Sequence, residues 1–188
     1  MKLFFFDLET TGVKYWKNGI WQIAGMVVID GEIMETFDFK IQPNKACEIE
    51  DEALKVGGIT RDDLKSFITI EEGYSSIIKV LSKYVDKFNK SDKFFLVGYN
   101  NASFDNQFFR AFFVQNGDSY FGSWFWSSSI DIMCQAADFL KKERHLMKDF
   151  KLSTVADFLK IEVDPDKLHD ALYDIYLTKA IYDKISYK

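Results

Sequence analysis

Asp7 and Glu9 stand two residues apart, just after the apolar run Leu3-Phe4-Phe5-Phe6 and just before Thr10-Thr11-Gly12. If the apolar run is a strand, its side chains alternate across the sheet, so both carboxylates project to the same side. Paired hard oxygen donors of this kind can hold a divalent cation, and the small residues behind them let backbone come close to a ligand. Spacing alone says little, because a chain with 29 acids in 188 residues shows about four such pairs by chance. Context gives the pair its weight, since a buried strand delivers both acids into a turn of small residues.

Composition bounds what surrounds the pair. With 47% hydrophobic and 28% charged residues, the chain is a folded globular protein rather than a collagen-like or disordered one. Its 188 residues predict a single domain over 1–188. A net charge of −5, from 24 Lys and Arg against 29 Asp and Glu, argues against a broad basic surface as the main source of nucleic-acid affinity. The same charge suits a carboxylate cluster that bound dications would offset. Met1 to Phe6 reaches acids before its apolar segment is long enough for a signal peptide, and no run approaches a membrane span. Cys47 and Cys134 have no Cys-x-x-Cys spacing, so both are expected as small core residues in an intracellular, reducing compartment.

The elements that must position the acids follow from periodicity. Residues 2–6 read as a strand buried on both faces, followed by a polar loop to about residue 18. Residues 21–29 and 32–41 read as two strands around the hairpin turn Asp30-Gly31, which gives three consecutive antiparallel strands. Apolar positions at three- and four-residue spacing predict a helix over 71–88. Beyond it, strands are expected at 94–98 and 130–132, and helices at 103–115, 133–141, 152–159 and from 169 or 170 to 185. A meander of strands followed by alternating helices and strands makes a mixed sheet flanked by helices, an α/β fold. The stretch 117–129 reads as a long loop, and its cluster Tyr120-Phe121-Gly122-Ser123-Trp124-Phe125-Trp126 is expected in the core or at a protein contact rather than as a base-stacking platform.

Three segments together carry a resemblance. Phe6-Asp7-Leu8-Glu9-Thr10-Thr11-Gly12 resembles the first motif of the DnaQ-like 3′-to-5′ exonucleases, the histidine type of the DEDD superfamily. Asn101-Ala102-Ser103-Phe104-Asp105 is similar to the second, and His169-Asp170-Ala171-Leu172-Tyr173-Asp174 to the third. Quieter likenesses run through 20–25, 58–60 and 151–155, so the resemblance spans residues 3–181. Asn100 departs from it, standing where many relatives have His.

This resemblance implies a ribonuclease-H-like five-stranded sheet and hydrolysis of phosphodiesters from a 3′ end, releasing nucleoside 5′-monophosphates. It also implies a ligand set for two Mg²⁺ or Mn²⁺ ions. Asp7 would serve both metals, Glu9 the nucleophile-side metal and the terminal 3′-OH, Asp105 the leaving-group metal and Asp174 the nucleophile-side metal. His169 would be the general base. Elementary chemistry agrees, because four carboxylates offer only hard oxygens and imidazole titrates near neutrality. Two metals about 4 Å apart can clamp the attacking and leaving oxygens of such a displacement. The 3′ end is expected to meet backbone around Thr10, Thr11 and Gly12, with apolar contacts from Ile23 and Phe104. Asp131 lies near the set but is expected to play a structural role, and Asp170, four residues before Asp174 on a similar helix face, stands outside the ligand set as its nearest substitute.

Single-stranded DNA is the expected substrate, with RNA ends or short oligoribonucleotides as the rival. A second rival is a module that binds a nucleic-acid end or a polymerase without cutting, against which the intact set of five argues. Through the proofreading subunits of the family, a DNA polymerase is also an expected partner. Because Lys188 follows soon after the last helix, no tail for tethering to one is expected, and the chain is expected to work alone or to associate through its surface.

Overall fold

A computed structural model describes residues 1–186. The opening apolar run forms a strand that outlasts its apolar part: β1 (Lys2–Thr10) continues through both acids. It does so because β2 (Ile20–Ile29) runs antiparallel beside it and pairs Asp7 with Ala24 and Glu9 with Gln22. The acids therefore lie inside the strand, not in the loop that follows it. Asp30 and Gly31, with φ of 51° and 93°, turn the chain into the antiparallel β3 (Glu32–Lys40).

Two short helices follow that periodicity does not reveal, α1 (Asp51–Val56) and α2 (Arg61–Leu64). Their buried residues, Leu54 and Leu64, pack with Trp21 in a satellite core. The helix expected over 71–88 is α3 (Ile70–Tyr84), opened by a capping box between Thr69 and Glu72. It stops early because Val85 is extended, which leaves Phe88 86% exposed rather than on the apolar stripe.

Next come β4 (Phe95–Gly98), α4 (Asp105–Gln115), β5 (Ile130–Asp131), α5 (Ile132–Phe139), α6 (Leu152–Phe158) and α7 (Ala171–Ser186). The sheet order is β3-β2-β1-β4-β5, with β4 parallel to β1 and β5 parallel to β4. This is the mixed five-stranded α/β sheet that the pattern of elements predicts.

Alternation along β1 divides the core. Phe4, Phe6 and Leu8 pack with α3 and α4, while Leu3 and Phe5 face α5, α6 and α7. Asp7 and Glu9 continue the second file, so the strand aims both acids at the side that α7 covers. In the 117–129 stretch Phe121, Trp124 and Phe125 are buried in the α3/α4 core, as expected, while Tyr120 is exposed. Neither cysteine is a core residue: Cys47 is half-buried and Cys134 exposed. Among the described residues, no helix is long and apolar enough to cross a membrane.

Candidate active site

Parallel β1 and β4 bring their carboxyl ends to one edge of the sheet, where open α/β sheets bind ligands. At the end of β4, Gly98 leaves no room for a side chain: a Cβ would lie 2.7 Å from Asn101 Cβ and 3.2 Å from the Phe6 carbonyl oxygen. Bare backbone there lets the following turn fold back against β1. Asp131 holds that turn, its carboxylate accepting from the backbone N–H groups of Asn100 (3.1 Å), Ala102 (3.3 Å) and Met133 (3.0 Å). These bonds give Asp131 the structural role expected of it.

The turn delivers Asp105 as the first residue of α4. Its buried carboxylate accepts from its own backbone N–H and from that of Leu8, beyond the last β1–β4 pair.

From the other face, α7 carries Asp174 in its first turn. Just ahead of the helix, His169 adopts a left-handed φ of 68°, a conformation that costs a non-glycine residue on the order of 1–3 kcal/mol and recurs at functional sites. This bend turns the His169 backbone N–H onto the Asp174 carboxylate. Asp170 accepts from the Tyr173 N–H at 2.9 Å and so caps the helix.

Asp7, Glu9, Asp105, His169 and Asp174 all line one cavity of about 760 Å³, together with Phe104. The acids strain against one another there. Burial, then the charges of Asp105, Asp174, Glu9 and Asp170, push the Asp7 carboxyl well above its ordinary range. Burial and the charges of Asp174, Asp105 and Asp170 push Glu9 up to about 8. Asp105 is raised to about 7 by burial, against the pull of the two N–H groups it accepts from. Asp174 is raised to about 6 by burial, opposed by the His169 charge.

A cluster that resists charging near neutral pH calls for positive charge. Asp174 Oδ1 is buried with no hydrogen-bond partner among the described residues, as a ligand oxygen reserved for a cation would be. The all-oxygen donor set fits Mg²⁺ or Mn²⁺. Among the described residues, no three His, Cys, Asp or Glu side chains are already drawn together as a metal cage.

The structure places the five residues expected at the 3′ end in different surroundings. Of those five residues only Phe104 lines the cavity. Ile23 is fully buried in the core, because it lies on the face of β2 that packs with α3 and α4. Thr10 is buried, its hydroxyl donating to the Gly12 carbonyl at 2.7 Å. Thr11 is buried too and is spent on the fold, its hydroxyl donating to the Glu48 carbonyl (2.7 Å) and accepting from the Gly19 N–H (2.9 Å). Gly12 packs against Asn18, with no room for a Cβ.

The cavity has walls that sequence reasoning passed over, among them Tyr99, Lys148, Phe150 and Lys151. Asp149 shapes this wall by accepting from the Lys151 N–H (3.2 Å) and the Thr154 hydroxyl (2.5 Å), and Tyr99 fixes it by donating to the Phe150 carbonyl at 2.6 Å. The signal that could have found it is Lys148-Asp149-Phe150-Lys151, two cations and a ring around a capping acid just before a helix.

A mixed five-stranded sheet of order β3-β2-β1-β4-β5, with four acids at the carboxyl edge of its central strands, defines the ribonuclease-H-like fold class. More particularly, the chain belongs to the RNase T exonuclease family, whose profile matches residues 4–182. Membership bears out the resemblance drawn from the three motifs. The chain is 28% identical over 177 residues to the PolC-type DNA polymerase III of Mycoplasmopsis pulmonis, a match covering 94% of this chain and 11% of that protein. It thus spans about a ninth of the curated relatives it matches. Escherichia coli exonuclease I in complex with a dT13 oligonucleotide has the same fold, with a TM-score of 0.79 at 20% identity, covering 99% of this chain and 41% of that one. A zinc-bound form of that enzyme with single-stranded DNA gives a TM-score of 0.77 at 21% identity, covering 98% of this chain and 40% of that one.

Proposed function

We propose that this chain is a metal-dependent 3′-to-5′ exonuclease that removes nucleoside 5′-monophosphates from single-stranded DNA, residues 1–188 acting as one exonuclease domain. The observation that carries this reading is the meeting of four carboxylates and His169 in one cavity at the strand edge. Asp7, Glu9, Asp105 and Asp174 would hold two divalent cations, Mg²⁺ or Mn²⁺. When bound, such cations supply Lewis acidity to the phosphodiester and to water.

The chain's own residues supply the rest. His169, beside the Asp174 carboxylate, accepts the proton of the attacking water. Water adds to phosphorus, the bond from phosphorus to the 3′ oxygen breaks, and that oxygen leaves as a hydroxyl. Lys148 and Lys151 attract the phosphate, while Phe104, Tyr99 and Phe150 offer ring faces to the terminal base. Exonuclease I, of the same fold, in complex with oligonucleotides supports DNA as substrate, and the likeness to PolC-type polymerases supports proofreading beside a polymerase.

Incubation with Mg²⁺ or Mn²⁺ and matched 5′-labelled DNA and RNA oligonucleotides tests this reading. Expected is a ladder shortening from the 3′ end, faster on DNA, and lost with EDTA, His169→Ala or Asp7→Ala. Oligonucleotides that stay intact with either metal would overturn it, and a ladder on RNA alone would reassign the substrate.

A further inference from the structure

A second cavity, of about 540 Å³, opens between the exposed face of α4 and the turn that joins β1 to β2. Tyr15 and Trp16 wall it from the turn, Gln107, Arg110 and Val114 from the helix. Trp16 is 67% exposed and Val114 66%, so apolar surface gathers here in contact with water.

The turn is built to hold its rings in place. The Lys14 carbonyl accepts from the N–H groups of Lys17 (2.8 Å) and Asn18 (2.7 Å), and Asn18 Oδ1 accepts from the Lys14 N–H at 2.8 Å. Asn18 is itself buried, its Nδ2 donating to the carbonyls of Thr11 (3.3 Å) and Glu48 (3.1 Å). A Cβ on Gly12 would lie 2.4 Å from the Asn18 side chain. Rings fixed in advance lose little entropy when they bind.

Charge and continuity say what covers them. No acid lines the groove. Lys14 adjoins Tyr15, and Arg110 stacks over the Phe121 ring at 4.5 Å. Neither cation has a carboxylate partner among the described residues, a local basic site in a chain of net charge −5. The ring of Trp16 lies 5.1 Å from Tyr15, Tyr15 6.5 Å from Phe108, and Phe108 4.9 Å from Phe104. Phe104 lines the carboxylate cavity, so ring contacts link the turn to that cavity through the buried Phe108.

We propose that this groove binds the single-stranded segment upstream of the terminal nucleotide, its bases stacking on Trp16 and Tyr15 and its phosphates meeting Lys14 and Arg110. This inference rests on the exonuclease reading of the carboxylate cavity and adds a subsite that favours long strands over short ones.

Trp21 and Trp124 are buried and Trp126 is half-buried, so the exposed Trp16 is the natural optical reporter. Dodecathymidylate is titrated with Mg²⁺ against the Asp7→Ala protein, with and without Trp16→Ala, and tryptophan fluorescence is read. In parallel, proteins with intact acids are assayed on dodecathymidylate and on the p-nitrophenyl ester of thymidine 5′-monophosphate, which is too short to reach the groove. Expected is a salt-sensitive quench that Trp16→Ala removes and Arg110→Ala weakens. The ratio of kcat/KM for dodecathymidylate over the ester should fall about tenfold in Trp16→Ala, through KM, within the range for losing one base–aromatic stack, and Trp16→Phe should restore most of it. An unchanged ratio and quench in Trp16→Ala would overturn the groove while leaving the exonuclease standing. If the wild type cleaved neither substrate, the exonuclease reading would fall and the titration alone would judge the groove, absence of quenching overturning it.

Discussion

At Glu9, burial and neighbouring acids hold the carboxyl at about 8 against an ordinary 4.5. The folded chain therefore binds this proton more tightly than the unfolded chain, and the stability so gained is complete below the ordinary value and lost as pH rises through 8. Asp105, at about 7, and Asp174, at about 6, act in the same direction. In EDTA the melting temperature should fall between pH 5 and pH 9, estimates of roughly one unit below and above these values. Glu9→Gln should flatten the slope, and saturating Mg²⁺ should restore most of the loss at high pH. A flat profile in EDTA would contradict the mutual repulsion of the acids. His169→Ala is expected to lower kcat by about 10²- to 10⁴-fold, the range for removing a general base. His169→Gly, which relieves a left-handed backbone, should lose turnover equally without losing thermal stability. These five residues were legible because each sits in a local motif. Lys148 and Lys151 were not, since lysines on a loop read as solvated until the fold lays them on the cavity. Ile23 misled because an apolar strand residue looks alike whether it walls a pocket or fills the core.

The turn between β4 and α4 hangs on one side chain. Asp131 accepts four backbone N–H groups from that turn and the start of α5, so Asp131→Ala should cost about 1–3 kcal/mol in urea unfolding, the penalty for donors left without partners. Because the same turn places Asp105, the variant should also lose turnover. Full activity with a loss of stability would show that the turn's position does not govern the site. Elements were legible in proportion to their length. The spacing of α3 and α7 announces itself, whereas α1 and α2, at six and four residues, complete too few turns to show a period. The true length of β1 was hidden for another reason: its last residues are polar, and pairing with β2 rather than apolarity extends the strand past them.

Aromatic content, the outlier of the composition, is explained at the scale of the whole molecule. Phe4, Phe109, Phe113, Phe121 and Phe125 form a connected cluster of rings between the sheet and its α3/α4 layer. Phe109→Ala should destabilise the fold by about 3–5 kcal/mol, while the KM of the folded fraction stays at its wild-type value. A large change in KM with little change in stability would instead place this cluster in substrate binding. The layered arrangement was legible from the order of elements, but which aromatics fill which layer depends on strand alternation meeting helix faces, and that is settled only when the sheet forms. One consequence concerns time. β1 supplies Asp7 and Glu9, α7 supplies Asp174, and the two pack together although they stand at opposite ends of the described fold. Such distant partners meet late when a chain collapses, because closing the longest loops is slowest. Under the proposed exonuclease reading, the ligand set is complete only when both ends of the chain have docked, so a half-folded copy lacks it.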